Sequence, residues 1–329
     1  MRIPLLTGLV LLLCGACSSG HAQADGQKEK ALKEAATPAE RPQFDADSAY
    51  AYVEKLVDFG PRVPNTGSHR QAGDWLAATM RGYGWDVTEQ KADLTAFDGT
   101  ILKARNIFAR LNPQEQERLL LLSHWDSRPW ADADPDPERR SQPVLGANDG
   151  ASGVGVLLEA ARQLALQGYK GGVDILFVDA EDWGSHDEED SWALGTRYFA
   201  ANPPVEGYRP QGAILLDMVG SPNATFGYEY FSAKANPELL QSVWSTATAL
   251  GHGKYFHTGF GGAVTDDHVE LIRQGIPAID IIDYRNSGSY QGFDPVWHTT
   301  RDDMRNISRQ TLGAVGETII AVLNKNQSN

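Results

Sequence analysis

Several short stretches of this chain carry side chains able to bind a cation or move a proton, and each adjoins an apolar run. They are Ser123-His124-Trp125-Asp126, Gly146-Ala147-Asn148-Asp149-Gly150, Asp179-Ala180-Glu181-Asp182, Asp217, Thr265-Asp266-Asp267-His268 and Val296-Trp297-His298-Thr299. Carboxylates drawn to the ends of buried strands must either reach water or be neutralised by a cation. The only two cysteines, Cys14 and Cys17, lie near the N-terminus. Catalysis by a thiol is therefore excluded from the body of the protein, and any metal must be held by His, Asp or Glu. Zinc is the economical candidate for such a donor set. No H-E-x-x-H helix fixes two ligands at once, so spacing alone leaves the ligand set open.

The elements that must position these groups follow from periodicity. Asp47 or Ser48 could cap a helix with Tyr50, Val53, Leu56 and Val57 on one face, and a second helix should run from about Ser68 to Gly82. Strands are expected over 85–91, 102–111 and 119–123, then a helix from Gly150 or Ala151 to about Gln167. Three short apolar runs, 173–178, 212–216 and 277–282, read as buried strands, and a helix over about 309–323 closes the chain. Strands alternating with helices predict a three-layer α/β sandwich with a mostly parallel mixed central sheet. Its acidic residues fall just past strand carboxyl ends, where open α/β sheets place ligands.

The start of the chain reads differently. Ile3 to Leu13 is almost wholly apolar after Met1-Arg2, too short for a permanent membrane span but suited to an export signal over residues 1–16. The small residues before Cys17 resemble a bacterial lipoprotein processing site, with a plain secretory peptide as the alternative. Residues 17–43, rich in Ala, Gln, Lys, Glu and Pro, read as a tether, and 44–329 as one catalytic domain. The formal net charge of -14 offers no basic footprint for nucleic acid. No self-association stripe is evident, so a monomer is expected. Asn223-Ala224-Thr225 matches a glycosylation acceptor, idle if the chain is a bacterial lipoprotein.

Taken in order, Ser123-His124-Trp125-Asp126-Ser127-Arg128-Pro129, Leu145 to Val154, Asp179-Ala180-Glu181-Asp182, Leu216-Asp217, Asp266-Asp267-His268 and Trp297-His298-Thr299 carry a resemblance. Together they resemble the glutaminyl-peptide cyclotransferases, in particular a bacterial branch, within the zinc aminopeptidase superfamily (peptidase family M28). The resemblance implies one Zn2+ held by Asp149, Asp182 and His298, with Glu181 as general base and acid. It implies that Asp217 and Asp266 form an acidic pair that helps hold the substrate amine, and that Trp192 and Trp297 wall a small pocket. The implied substrates are peptides and proteins with N-terminal glutamine, converted to pyroglutamate with release of ammonia. The implied setting is the periplasm or cell surface, with a lipid anchor at Cys17 in the outer membrane.

Other readings of these residues stay open. Asp149 could cap the helix that follows it, although Asn148 would serve equally well. Trp192 and Trp297 could instead be core packing, and Trp183 and Trp125 are lesser candidates for the pocket wall. His124 and Asp217 match positions where related aminopeptidases hold a second zinc, which makes an aminopeptidase the alternative function. Asp182 stands where aminopeptidases and animal cyclases usually have glutamate. The 284–296 stretch is expected to form a loop beside the pocket mouth, and the Asp132–Pro137 stretch a solvent-exposed loop rather than a calcium site.

Overall fold

The computed structural model describes residues 43–284 and 292–326. Its elements are α1 Ala46–Asp58, α2 Gly67–Gly82, β1 Asp86–Thr95, β2 Ile101–Leu111, β3 Arg118–His124, α3 Ala151–Leu166, β4 Gly172–Val178 and α4 Leu194–Ala201. They continue with β5 Gly212–Asp217, β6 Phe226–Glu229, α5 Tyr230–Ala235, α6 Pro237–Ala249, β7 Phe256–Gly262, α7 Asp267–Arg273, β8 Ala278–Ile282 and α8 Arg309–Asn326. The main sheet runs β1-β2-β4-β3-β5-β8, and β6 pairs with β7 in a small second sheet. β2 runs antiparallel to both of its neighbours, β1 and β4, whereas β4, β3, β5 and β8 are parallel.

The parallel strands are apolar along both faces because both faces are covered. Leu119 and Leu121 of β3, Ile175 and Phe177 of β4, and Ile214 and Leu216 of β5 pack in one core layer beneath α1, α2, α3, α6 and α8. The alternate residues Leu120, Leu122, Leu176, Val178 and Leu215 pack in another, against Phe199 of α4 and Leu271 of α7. This is the expected three-layer α/β sandwich. Each fully buried leucine contributes about 1.5–3 kcal/mol of transfer free energy.

Local details depart from the sequence expectation. The cap of α1 is Asp45, which accepts from Asp47 N and Ser48 N, so Asp47 and Ser48 lie inside the first turn. β1 runs on to Thr95 because its ladder with β2 continues to the Thr95–Ile101 pair. Between Asp217 and Pro277 no element was expected, yet β6, α5, α6, β7 and α7 all lie there. β7 contains Gly259, Gly261 and Gly262 and lacks an apolar alternation. For α6 the signal was present: Asn236 caps it and Pro237 occupies its first turn. Residues 1–42, with the export signal, Cys17 and nearly all of the tether, lie outside the described residues. Among those described, no helix is long and apolar enough to cross a membrane.

β3 lies between β4 and β5, so connections leaving its neighbours diverge above its carboxyl end and open a crevice there. Leu121→Ala, in the centre of β3 and fully buried, should lower unfolding free energy by about 2–5 kcal/mol in a denaturant titration.

Candidate active site and metal centre

Four loops at the carboxyl end of the sheet bring the polar residues together. His124 ends β3, and its Nε2 lies 3.0 Å from Asp149 Oδ1 and 3.2 Å from Asp217 Oδ1. Asp149 precedes α3 but does not cap it. Gly150 stands at that N-cap with φ 89° and no side-chain bond. Asn148 does not cap it either, because its Oδ1 accepts from Gly220 N. Asp149 instead turns Oδ2 toward His298 Nε2, 3.5 Å away, and the same Nε2 is 3.2 Å from Asp182 Oδ1.

Two other aspartates hold the loops that carry these carboxylates. Asp302 accepts from Asn148 N at 2.8 Å and Asp149 N at 3.0 Å. Asp126 accepts from Glu181 N at 3.3 Å and Asp182 N at 3.1 Å. The buried Arg62 donates to the carbonyls of Trp125, Leu145 and Gly146, tying the β3 loop to the loop before α3.

The triple Asp149, Asp182 and His298 fits a metal. Ligands about 2.0–2.1 Å from a tetrahedral zinc stand about 3.3 Å apart. His298 Nε2 meets that spacing to both carboxylates, and one donor atom from each of the three falls in a single cluster. The donors are borderline and hard, as zinc accepts, and they leave a fourth position. His124, Asp149 and Asp217 form an adjoining cluster that shares Asp149. In that cluster His124 Nε2 lies 3.0 and 3.2 Å from the two carboxylates, a spacing similar to that of His298 Nε2 in the first.

Electrostatics follow from burial. Asp149 would be raised by burial, but the hydrogen bond and charge of His124, with His298, hold it below the usual range. Asp182 is raised by burial and by Asp149. Burial pushes Glu181 well above the ordinary glutamate range, reinforced by Asp182, Asp266 and Asp267 and opposed by His124. Asp266 is pushed up to about 7 by burial and the charge of Asp217.

A cavity of about 360 Å³ opens onto this centre, with Glu181, Asp217, Asp266, His298, Trp192 and Trp297 in its wall. Asp182 and His124 lie behind that wall, 2% and 1% exposed. Trp297 stacks on His298 with ring centroids 3.6 Å apart, and Trp192 lies 6.0 Å from the same imidazole. Trp125 and Trp183 are packing residues. Trp125 is fully buried against His69, and Trp183 sits edge-on to Trp130 and donates to Asp98. Tyr284 and Phe293, both within the 284–296 stretch, line the cavity; residues 285–291 lie outside the described residues.

Asp132 and Asp134 were expected in an exposed loop. Asp134 instead turns inward to accept from Thr300 N and Oγ1, and Asp132 pairs with Arg128. Sequence reasoning assigned no role to Asp126, Asp302, Arg62 or Arg128, each of which bonds a loop distant in sequence. Backbone strain collects at the site: Ala180, Ala193, Met218 and His298 have φ between 48° and 55°. Such residues cost on the order of 1–3 kcal/mol each and persist only where surrounding packing enforces them.

Comparison with known proteins agrees with this geometry. The profile of peptidase family M28 matches residues 106–323. The crystal structure of Porphyromonas gingivalis glutaminyl cyclase is 51% identical, covering 86% of this chain and 99% of that one with a TM-score of 0.84. A structure described as a Zn-dependent exopeptidase from Parabacteroides distasonis is 50% identical with the same coverage and TM-score. A glutaminyl-peptide cyclotransferase-like protein of Bos taurus is 28% identical over 285 residues, 76% of this chain and 68% of that relative.

Trp192 reaches its place only because residue 184 has no side chain. A Cβ on Gly184 would lie 2.1 Å from the Trp192 ring. Gly184→Ala should therefore displace that ring at a cost of about 1–3 kcal/mol. Denaturant melts and tryptophan emission would register the change, and identical values for both proteins would contradict it.

Proposed function

The chain belongs to peptidase family M28, and within that family we propose that it is a zinc-dependent glutaminyl-peptide cyclotransferase. The observation that carries the proposal is the grouping of Asp149, Asp182 and His298, of which Asp149 and His298 line a tryptophan-walled cavity onto which Glu181 also faces. Its likeness to the Porphyromonas gingivalis cyclase extends over nearly that whole enzyme.

One zinc ion held by Asp149, Asp182 and His298 supplies Lewis-acid polarisation of the glutamine side-chain amide carbonyl. The chain's own residues do the remainder. Glu181 accepts a proton from the substrate α-ammonium group, and the amine then attacks the side-chain carbonyl carbon. A C–N bond closes the five-membered lactam and the amide C–N bond breaks. Glu181 returns the first proton to the departing nitrogen, which leaves as ammonia, and the second proton shed by the ring nitrogen is taken up by that ammonia as ammonium. A carboxylate whose proton affinity is raised by burial and like charges suits that two-way transfer. Asp217 and Asp266 face the same space and hold the amine as a coupled acidic pair. Trp192 and Trp297 exclude water and confine the glutamine to a rotamer near attack, which lowers the entropic part of the barrier.

The second reading is a two-zinc aminopeptidase, favoured by the His124, Asp149 and Asp217 cluster. The exopeptidase description of a similar structure points the same way. The likeness to the Porphyromonas gingivalis cyclase favours the cyclase reading, with one zinc and the substrate amine as nucleophile.

Several further features belong to the proposal. Residues 1–16 act as an export signal, 17–43 as a tether and 44–329 as one catalytic domain. Cys17 carries a lipid that holds a monomer at the outer membrane, facing the periplasm or the cell surface. The apolar run of residues 3–13 and the small residues before Cys17 support this. Ser18 lacks the acidic character of an inner-membrane retention signal.

Incubation with two peptides, one beginning in glutamine and one in leucine, separates the functions. The expected products are ammonia and a ring-closed peptide from the first and nothing from the second; a liberated amino acid would establish the aminopeptidase instead. Chelation should abolish turnover, zinc should restore it, and metal analysis should give one zinc per chain. Glu181→Gln should lower kcat by about 10²–10⁴-fold. Cys17→Ser should move the protein from the membrane to the soluble fraction of disrupted cells, and retention in the membrane would remove the anchor from the proposal.

A further inference from the structure

Asp132 has no part in the chemistry above, yet it is locked in place. Arg128 donates to both of its oxygens, Nε to Oδ1 at 2.8 Å and Nη2 to Oδ2 at 2.6 Å. Such a fork-to-fork pair fixes the plane of the carboxylate as well as its position. Oδ1 of the same carboxylate lies 3.5 Å from His298 Nδ1, and Oδ2 lies 3.4 Å from His186 Nε2.

Arg128 does more than hold Asp132. It is only 1% exposed. Its Nη1 donates to the Asp182 carbonyl at 2.9 Å and approaches Asp182 Oδ1 at 3.4 Å. Its guanidinium lies 4.8 Å from the Trp192 ring and 5.1 Å from the Trp130 ring. One buried cation thus touches, directly or through a single carboxylate, two of the three prospective ligands and one wall of the cavity.

The two nitrogens of His298 face opposite ways. Nε2 is turned to Asp149 and Asp182, and the buried Nδ1, which makes no hydrogen bond, has the Asp132 carboxylate 3.5 Å away. A metal needs the lone pair on Nε2, so the ring proton must sit on Nδ1. A carboxylate beside Nδ1 favours that tautomer and raises the basicity of the ring. Asp132, His186 and His298 could themselves gather a cation, but Arg128 already occupies both Asp132 oxygens, which makes the carboxylate an orienting group.

We propose that Arg128 and Asp132 form a positioning clamp. In it, Asp132 holds His298 in the orientation and tautomer that present Nε2 to the metal. Arg128 fixes Asp132, the Asp182 main chain and Trp192 relative to one another. The inference rests on the zinc reading of Asp149, Asp182 and His298, and neither clamp residue touches the reacting atoms.

The test is zinc affinity, measured on the folded full chain by competition with a chromophoric chelator, together with thermal melting of the metal-free form. Asp132→Asn keeps the shape and removes the charge, and should raise the zinc Kd by about 10–100-fold without moving the metal-free melt. Arg128→Lys keeps the charge and loses the fork, and should weaken zinc at least as much. The double variant should match Arg128→Lys alone, because Asp132 acts on His298 only while Arg128 holds it. Unchanged zinc affinity in the two single variants would overturn the clamp, as would losses that simply add. Variants that fail to fold without metal would also overturn it, by making the pair part of folding. If the parent itself takes up no zinc, the zinc reading fails first and the clamp falls with it.

Discussion

Buried negative charge is the constraint on which this structure depends. Asp149, Glu181, Asp182, Asp217 and Asp266 are all nearly inaccessible to water at one end of the sheet. Removing each ionised carboxylate from water costs several kcal/mol even after relaxation, so the group persists only with compensation. His124, His298 and Arg128 supply part of it, through contacts of 3.0–3.4 Å to Asp149, Asp182 or Asp217. A divalent cation between Asp149, Asp182 and His298 would supply more, and the ligand spacing accommodates one.

The scaffold is arranged to hold those charges in register. Asp126 and Asp302 play matching parts, each accepting two successive backbone N–H groups from a loop that carries a site carboxylate. The carboxylates they position are thereby spared from bonding their own loops. The same economy explains the helix start after Asp149. Gly150 accepts an uncapped N-terminus at positive φ, and a Cβ there would meet the His124 ring at 2.9 Å. Backbone strain at Ala180, Ala193, Met218 and His298 belongs to the same arrangement.

The shape of the cavity bears on chemistry as much as its charge does. An aminopeptidase must admit water as nucleophile beside its metals, whereas a cyclase must keep water away from a nucleophile the substrate brings with it. Trp192, Trp297 and Phe293 give the cavity an aromatic wall around an acidic floor, which favours a desolvated amine over an activated water.

The sequence by itself determined the layers of the fold and the chemistry available to it. Continuous apolar runs at 173–178, 212–216 and 277–282 could only be strands covered on both faces. The absence of cysteine after Cys17 left His, Asp and Glu as ligands. Motif order even brought Asp149, Glu181, Asp182, Asp217, Asp266 and His298 into view, because each adjoins an apolar element. Short elements with weak alternation, such as β7, were not legible, since their stability comes from neighbours rather than from periodicity. Nor were Asp126, Asp302, Arg62, Arg128 and Asp132, whose roles are set by partners far along the chain. Only the tertiary structure decided which nitrogen of His298 faces the carboxylates and where Trp192 stands. Orientation arises from contacts between loops that are distant in sequence, and no local pattern of residues encodes it.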